Sequence, residues 1–65
     1  MIAMRLIRVA RGEGQGDVGR SVDVDQGYIS KIERGLKKPS RSVRRRLASH
    51  FGISERELFA NIITR

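Results

Sequence analysis

The stretch VGRSVDVDQGYISKIERG, from Val18 to Gly35, constrains the fold of this chain more than any other part of the sequence. Its second half carries both end signals of a helix. The carboxylate of Asp25 can accept the free amide protons of a starting helix, and Gly35 can adopt the left-handed conformation that follows a helix at no steric cost. The sequence therefore predicts a helix from Gln26 to Arg34, preceded by a turn and by another helix that contains Val18.

The two faces of this predicted helix differ in chemistry. At about 100° per residue, Ile29, Ile32 and Glu33 project to one side, which is apolar apart from a single acid. The opposite side is polar and basic, and it is formed by Gly27, Ser30, Lys31 and Arg34, with Gln26 and Tyr28 on its flanks. A helix of this kind can pack on a core with one side and enter the major groove of DNA with the other.

The positive charge of the chain is concentrated in one segment. The chain has 14 Lys and Arg residues against 7 Asp and Glu residues, which gives a net charge of +7. Eight of the basic residues lie between positions 31 and 46, where Glu33 is the one acid, so this segment carries the whole excess. Such a concentration favours a polyanionic partner, and a basic face that is merely solvated is the alternative.

Composition excludes several classes of protein. The 65 residues make one domain, close to the lower limit for a self-supporting core. The chain lacks cysteine, and His50 alone cannot form a metal site, so we expect no disulfide, metal or other cofactor. No apolar run is long enough to span a membrane, and the charged N-terminal segment is a poor signal peptide, which predicts a cytoplasmic protein. The serines have only His50 as a possible base, so an enzyme is not expected. A small-molecule ligand is not expected either, because the sequence contains no ligand-binding domain.

Four further helices follow from apolar spacing and end signals. Ser40 is the predicted N-cap of one, and Ser54 with Glu57 forms a Ser-x-x-Glu capping box at the start of another. The predicted helix that contains Gly19 is weakened by its glycine residues. The small size of Gly19 would let the two helices of the central stretch approach closely. The predicted ranges are Ile2 to Arg11, Gln15 to Val22, Arg41 to Phe51 and Glu55 to Ile62.

Short motifs follow one another in a specific order from Met4 to Phe59. They are Arg8-x-x-x-Gly12, Gln15, Val18-Gly19, the run YISKIERG from Tyr28 to Gly35, Pro39-Ser40, Leu47-Ala48, the run FGIS from Phe51 to Ser54, and Glu57-Leu58-Phe59. Together they resemble the phage-repressor/Cro-type (XRE-like) helix-turn-helix family. The resemblance implies an all-α, five-helix bundle of the lambda-repressor-like type over residues 1–65. It also implies that the chain binds operator DNA as a transcriptional regulator.

The resemblance implies roles for individual residues as well. Arg8 and Glu33 correspond to an ion pair between the first and third helices. Asp23 stands where the family usually has a glycine with positive φ, Gly14 where it often has Ser or Thr, and Arg44 where an apolar residue is common. We expect the head of Arg44 to stay in solvent. The base-reading positions correspond to Gln26, Gly27, Tyr28 and Lys31, and phosphate contacts are expected from Gln15, Arg34, Lys37, Lys38 and Arg41.

The sequence is compatible with three functions. The leading one is a sequence-specific regulator that binds an inverted repeat in double-stranded DNA as a homodimer, with Phe59, Ile62 and Ile63 in the dimer interface. The alternative is an antitoxin-type protein-interaction module with secondary DNA binding, which usually needs a further segment for its toxin, whereas only Asn61 to Arg65 are left here. Single-stranded RNA binding is disfavoured because Tyr28 is the one aromatic residue available for stacking.

Overall fold

A computed structural model describes residues 2–62. Within that range five helices follow in order: α1 (Ala3–Ala10), α2 (Gln15–Val22), α3 (Gln26–Glu33), α4 (Arg41–Phe51) and α5 (Glu55–Leu58). No helix in this part of the chain is long and apolar enough to cross a membrane. The predicted all-α, five-helix architecture is therefore confirmed.

The helix ends follow the predicted local signals. Helices α3, α4 and α5 each begin with a side-chain N-cap. The cap side chain accepts a hydrogen bond from a backbone amide two or three residues later, and the cap residues are Asp25, Ser40 and Ser54, respectively. Gly12, Gly35 and Gly52 follow helices with φ of +72°, +76° and +67°. Helix α3 ends at Glu33, one residue earlier than predicted, because Arg34 is its C-cap.

The turn between α2 and α3 is held by a close backbone contact. The amide of Val24 donates a hydrogen bond of 2.8 Å to the carbonyl of Gly19. A Cβ atom at Gly19 would lie 2.6 Å from the carbonyl oxygen of Val24, so only glycine fits there without a shift. Asp23 has the positive φ, 62°, that its place in the turn implied. The predicted close approach therefore exists, and it brings α2 against the turn and the start of α3.

The predicted extent of the fifth helix, Glu55 to Ile62, is wrong. Helix α5 ends at Leu58, and Phe59 leaves the helical conformation with φ of −99° and ψ of 9°. The carbonyl of Ala60 instead accepts a hydrogen bond of 2.9 Å from the amide of Ala3. Pairing with the N-terminal segment thus replaces the next helical turn.

An isolated antiparallel bridge continues this pairing between Ile2 and Asn61. Consequently Phe59 lies in the turn that ends α5, and Ile62 follows the bridge, although the sequence predicted both on the fifth helix. Both side chains are half-buried. Ile63 lies outside the described residues.

The core is a single apolar cluster to which all five helices contribute. Helix α3 buries the side that the sequence predicted, with Ile29 fully buried and Ile32 and Glu33 only 2% exposed. The buried apolar residues are Ile2, Met4, Val18, Val22, Ile29, Ile32, Val43, Leu47, Phe51 and Leu58. Because α3 is anchored in this core along one side, its other side is held at the surface.

Candidate nucleic-acid interface

A bidentate ion pair joins α1 to α3 beneath the surface. Arg8 Nε donates to Glu33 Oε2 at 2.7 Å, and Arg8 Nη2 donates to Glu33 Oε1 at 3.1 Å. The side chains are 11% and 1% exposed, respectively. The hydrogen-bonded carboxylate of Glu33 raises the pKa of the Arg8 guanidinium above its ordinary value, although burial acts in the opposite direction. The acid of α3 therefore faces an internal cation and not the surface.

The same ion pair fixes the loop between α1 and α2. Arg8 Nη1 donates to the carbonyl of Glu13 at 2.8 Å. Gln15, the first residue of α2, donates from Nε2 to Glu33 Oε1 at 3.1 Å. A glutamine amide has two N–H groups, so one is engaged by Glu33 and a second can serve an acceptor such as a phosphate oxygen.

A polar depression of about 380 Å³ lies where α1, α2 and α3 meet. The buried ion pair forms part of its wall, and the remaining lining is also polar. Its lining residues are Arg5, Arg8, Gln15, Ser30, Glu33 and Arg34. The depression joins the start of α2 to the outer side of α3, and its cations give it the charge that a phosphate group requires.

The outer side of α3 carries most of the residues predicted to read bases. Gln26, Gly27, Lys31 and Arg34 are exposed, and Ser30 is half-buried. The amide of Gly27 donates to the cap carboxylate of Asp25 at 2.7 Å, and a Cβ atom at Gly27 would lie 2.8 Å from that oxygen. The absence of a side chain at this position thus leaves the cap of α3 undisturbed.

Tyr28 differs from the other residues at predicted base-reading positions. It is half-buried and packs against the core. Its hydroxyl oxygen accepts a hydrogen bond of 3.1 Å from the amide of Ser40, the N-cap of α4. The ammonium nitrogen of Lys37 lies 5.3 Å from the centre of the Tyr28 ring. Tyr28 therefore links α3 to the loop that leads into α4.

That loop, residues 35–40, and the first residue of α4 carry the remaining predicted phosphate contacts. Lys37 and Lys38 are exposed, and Arg41 is exposed at the first position of α4. The sequence has no acid from Arg34 to Arg41. The N-terminus of α4 adds its own partial positive charge, so this end of the domain attracts polyanions.

The head of Arg44 is only partly in solvent, since 41% of its side chain is exposed. Its Cζ atom lies 5.1 Å from the centre of the Phe59 ring, and its Nε atom lies 3.3 Å from Glu55 Oε1. The aromatic face and the carboxylate together offer the guanidinium a better environment than water alone. Arg44 therefore packs against the turn that follows α5.

Two polar contacts near the interface were missed from the sequence. Glu13 lies 2.7 Å from Arg11 Nε and 2.5 Å from His50 Nε2, so it joins the α1–α2 loop to the end of α4. Asp17 accepts the amide proton of Gly14 at 3.0 Å and so supports the start of α2 without a Ser or Thr cap. The Asp17 contact has a local signal, an acid three residues after the cap, whereas the Glu13 contact has none.

Comparison with known proteins agrees with this geometry. The sequence profile of the family described as "Helix-turn-helix domain" matches residues 2–60. No curated protein matches the chain. The profile spans α1 to α5, including the two helices and the turn from Gln15 to Glu33, and domains of this kind bind DNA through the second of those helices. The chain belongs to the helix-turn-helix domain family, as its resemblance to Cro-type sequences predicted.

Proposed function

We propose that this protein is a sequence-specific transcriptional regulator of the repressor type, which inserts α3 into the major groove of double-stranded DNA. The exposed polar side of α3 is the observation that carries the proposal. Gln26 can bond bidentately to adenine, and Lys31 can donate to the acceptors of guanine. Ser30 and Gly27 lie on the same side, where Gly27 permits close approach of the helix backbone.

Phosphate contacts on both sides of α3 position it in the groove. On one side, Gln15 and Arg34 border the polar depression. On the other side, Lys37, Lys38 and Arg41 supply exposed cations. Contacts of this kind fix the register of a helix on the duplex, whereas α3 supplies the discrimination between bases.

The regulator acts as a homodimer on an inverted repeat, and Phe59, Ile62 and Ile63 contribute to the interface. The half-buried Phe59 and Ile62 support this because each leaves part of an apolar side chain uncovered within one chain. A two-fold dimer would place two copies of α3 one DNA turn, about 34 Å, apart. Sedimentation of the parent and of Ile62→Asp tests the interface. A parent that stays monomeric, or a variant that dimerises equally well, would place the interface elsewhere.

An antitoxin-type protein-interaction module is the second candidate. It is favoured by one observation: Leu6 and Val9, adjacent on the outer side of α1, are 46% and 58% exposed. Contact with another protein would remove these two apolar side chains from water. The pair is also the alternative place for the homodimer contact.

Selection of bound sequences from random duplex DNA tests the leading proposal. We expect enrichment of a palindrome, because a two-fold dimer reads two identical half-sites. Arg56→Ala is a matched control, since it removes an exposed cation on α5 and leaves the residues proposed to contact DNA unchanged. If the parent enriches no sequence, the proposal of specific recognition fails, and the interaction module becomes the better explanation.

A further inference from the structure

The loop between α3 and α4 is tied to α3 at both of its ends. At the first end, the amide of Leu36 donates to the carbonyl of Lys31 at 2.9 Å. At the second end, the amide of Ser40 donates to the hydroxyl of Tyr28 at 3.1 Å. The first bond belongs to the backbone of the helix end, but the second depends on one side chain.

The residues between these two hydrogen bonds are Lys37, Lys38 and Pro39. Pro39 restricts Lys38 to extended conformations, and the ring of Tyr28 lies 5.3 Å from the ammonium of Lys37. Tyr28 thus acts on this loop twice, through its hydroxyl at Ser40 and through its ring at Lys37. Both contacts restrict the positions that the two ammonium groups can reach.

We propose that Tyr28 is a positioning residue for phosphate binding and does not read a base edge. The inference rests on the proposed function, since it assumes that Lys37 and Lys38 bind the DNA backbone. The hydrogen bond from the Ser40 amide holds the hydroxyl of Tyr28 at the start of α4, and the ring of Tyr28 is half-buried against the core. Both contacts direct this side chain to the loop, in contrast to the exposed side chains of Gln26 and Lys31. A loop that is held in place before DNA arrives loses less conformational freedom on binding, so its lysines bind more tightly.

Two substitutions separate the two contacts. Tyr28→Phe keeps the ring and removes the acceptor for the Ser40 amide. Because this hydrogen bond lies within the protein, its loss lowers affinity only through the greater freedom of the unbound loop, so we expect affinity for all duplexes to fall by up to about fivefold. Tyr28→Leu also removes the ring beneath Lys37, and we expect a further loss of about two- to fivefold. The slope of log affinity against log salt should then become less steep by up to about 0.9 per subunit, because the contact of one lysine is weakened.

The preference for each base pair is the decisive measurement. It should stay unchanged in both variants, and Tyr28→Leu should have little effect beyond that of Tyr28→Phe when Lys37 is already alanine. The helix content of each variant, measured by circular dichroism at the temperature of the binding assay, shows whether the variant is folded. The inference is overturned if Tyr28→Phe or Tyr28→Leu relaxes the preference at one base pair, or if both variants bind like the parent. The proposed function itself fails only if the parent binds no duplex selectively, so the two failures are distinguishable.

Discussion

Replacement of Glu33 by alanine is expected to destabilise the fold by about 3–5 kcal/mol, the usual result of removing one partner from a buried ion pair. The structure gives three reasons for a loss of this size. Arg8 is only 11% exposed at its side chain and would keep its charge without a counterion. Two charge-assisted hydrogen bonds from Arg8 would disappear, and the hydrogen bond from Gln15 would disappear with them.

This loss is large relative to the total stability of the domain. At about 0.05–0.15 kcal/mol per residue, a chain of this length is stabilised by about 3–10 kcal/mol. A loss of 1 kcal/mol lowers the midpoint of thermal unfolding by about 4–8 °C in domains of this size. The Glu33→Ala variant should therefore melt roughly 12–40 °C below the parent, or be largely unfolded at room temperature.

Urea and thermal unfolding followed by circular dichroism measure the effect. Glu55→Ala is the matched control, because the Glu55–Arg44 pair is about two-fifths exposed on both sides and should contribute less than about 1 kcal/mol. Replacing both partners, as Arg8→Met with Glu33→Leu, should recover much of the stability lost in Glu33→Ala. If Glu33→Ala melts like the parent and binds DNA more tightly, Glu33 is an exposed acid and the argument is refuted.

Three further predictions concern DNA binding and the central turn. If each subunit neutralises about four phosphates, the log–log dependence of affinity on salt should have a slope near −7 for a dimer, and a slope near zero would count against DNA as the partner. Lys31→Ala should weaken specific binding by about 1–3 kcal/mol and relax the preference at one base pair per half-site, whereas Lys37→Ala should weaken binding to all sequences alike. Identical specificity profiles for the two would show that base and phosphate contacts were assigned wrongly. Gly19→Ala should lower the unfolding midpoint although alanine favours helices, because its Cβ would lie 2.6 Å from the carbonyl of Val24; an unchanged or higher midpoint would show that the turn can yield.

Most of the fold could be predicted because its determinants are local. The caps at Asp25 and Ser40 and the glycine at position 35 act within a few residues of the helix ends that they specify. The end of the fifth helix could not be predicted in this way. It depends on the hydrogen bond from Ala3 to Ala60, which joins residues at opposite ends of the chain.

In the candidate site too, the features set by local sequence could be predicted and those set by distant contacts could not. Helical spacing alone predicted which side of α3 is buried, and the burial of Ile29 and Ile32 agrees with it. Helical spacing does not predict which residue of a distant helix or loop a side chain contacts. Tyr28 reaches Ser40 across twelve residues of sequence, and Glu13 reaches His50 across thirty-seven. Such contacts depend on how α4 packs, which no local pattern encodes.

The bridge between Ile2 and Asn61 makes this domain a candidate for insertion into a loop of another protein. Residues that face each other across an antiparallel bridge have Cα atoms about 4.5–5.5 Å apart. This is also the spacing of paired strands in a hairpin, so the domain could be inserted between two such strands of a host protein without moving them apart. A short linker could equally join these two positions, with new ends opened at Leu36, which is 67% exposed. The first arrangement would couple the proposed DNA binding to a host enzyme. The second would test how far the proposed recognition depends on an unbroken α3–α4 connection.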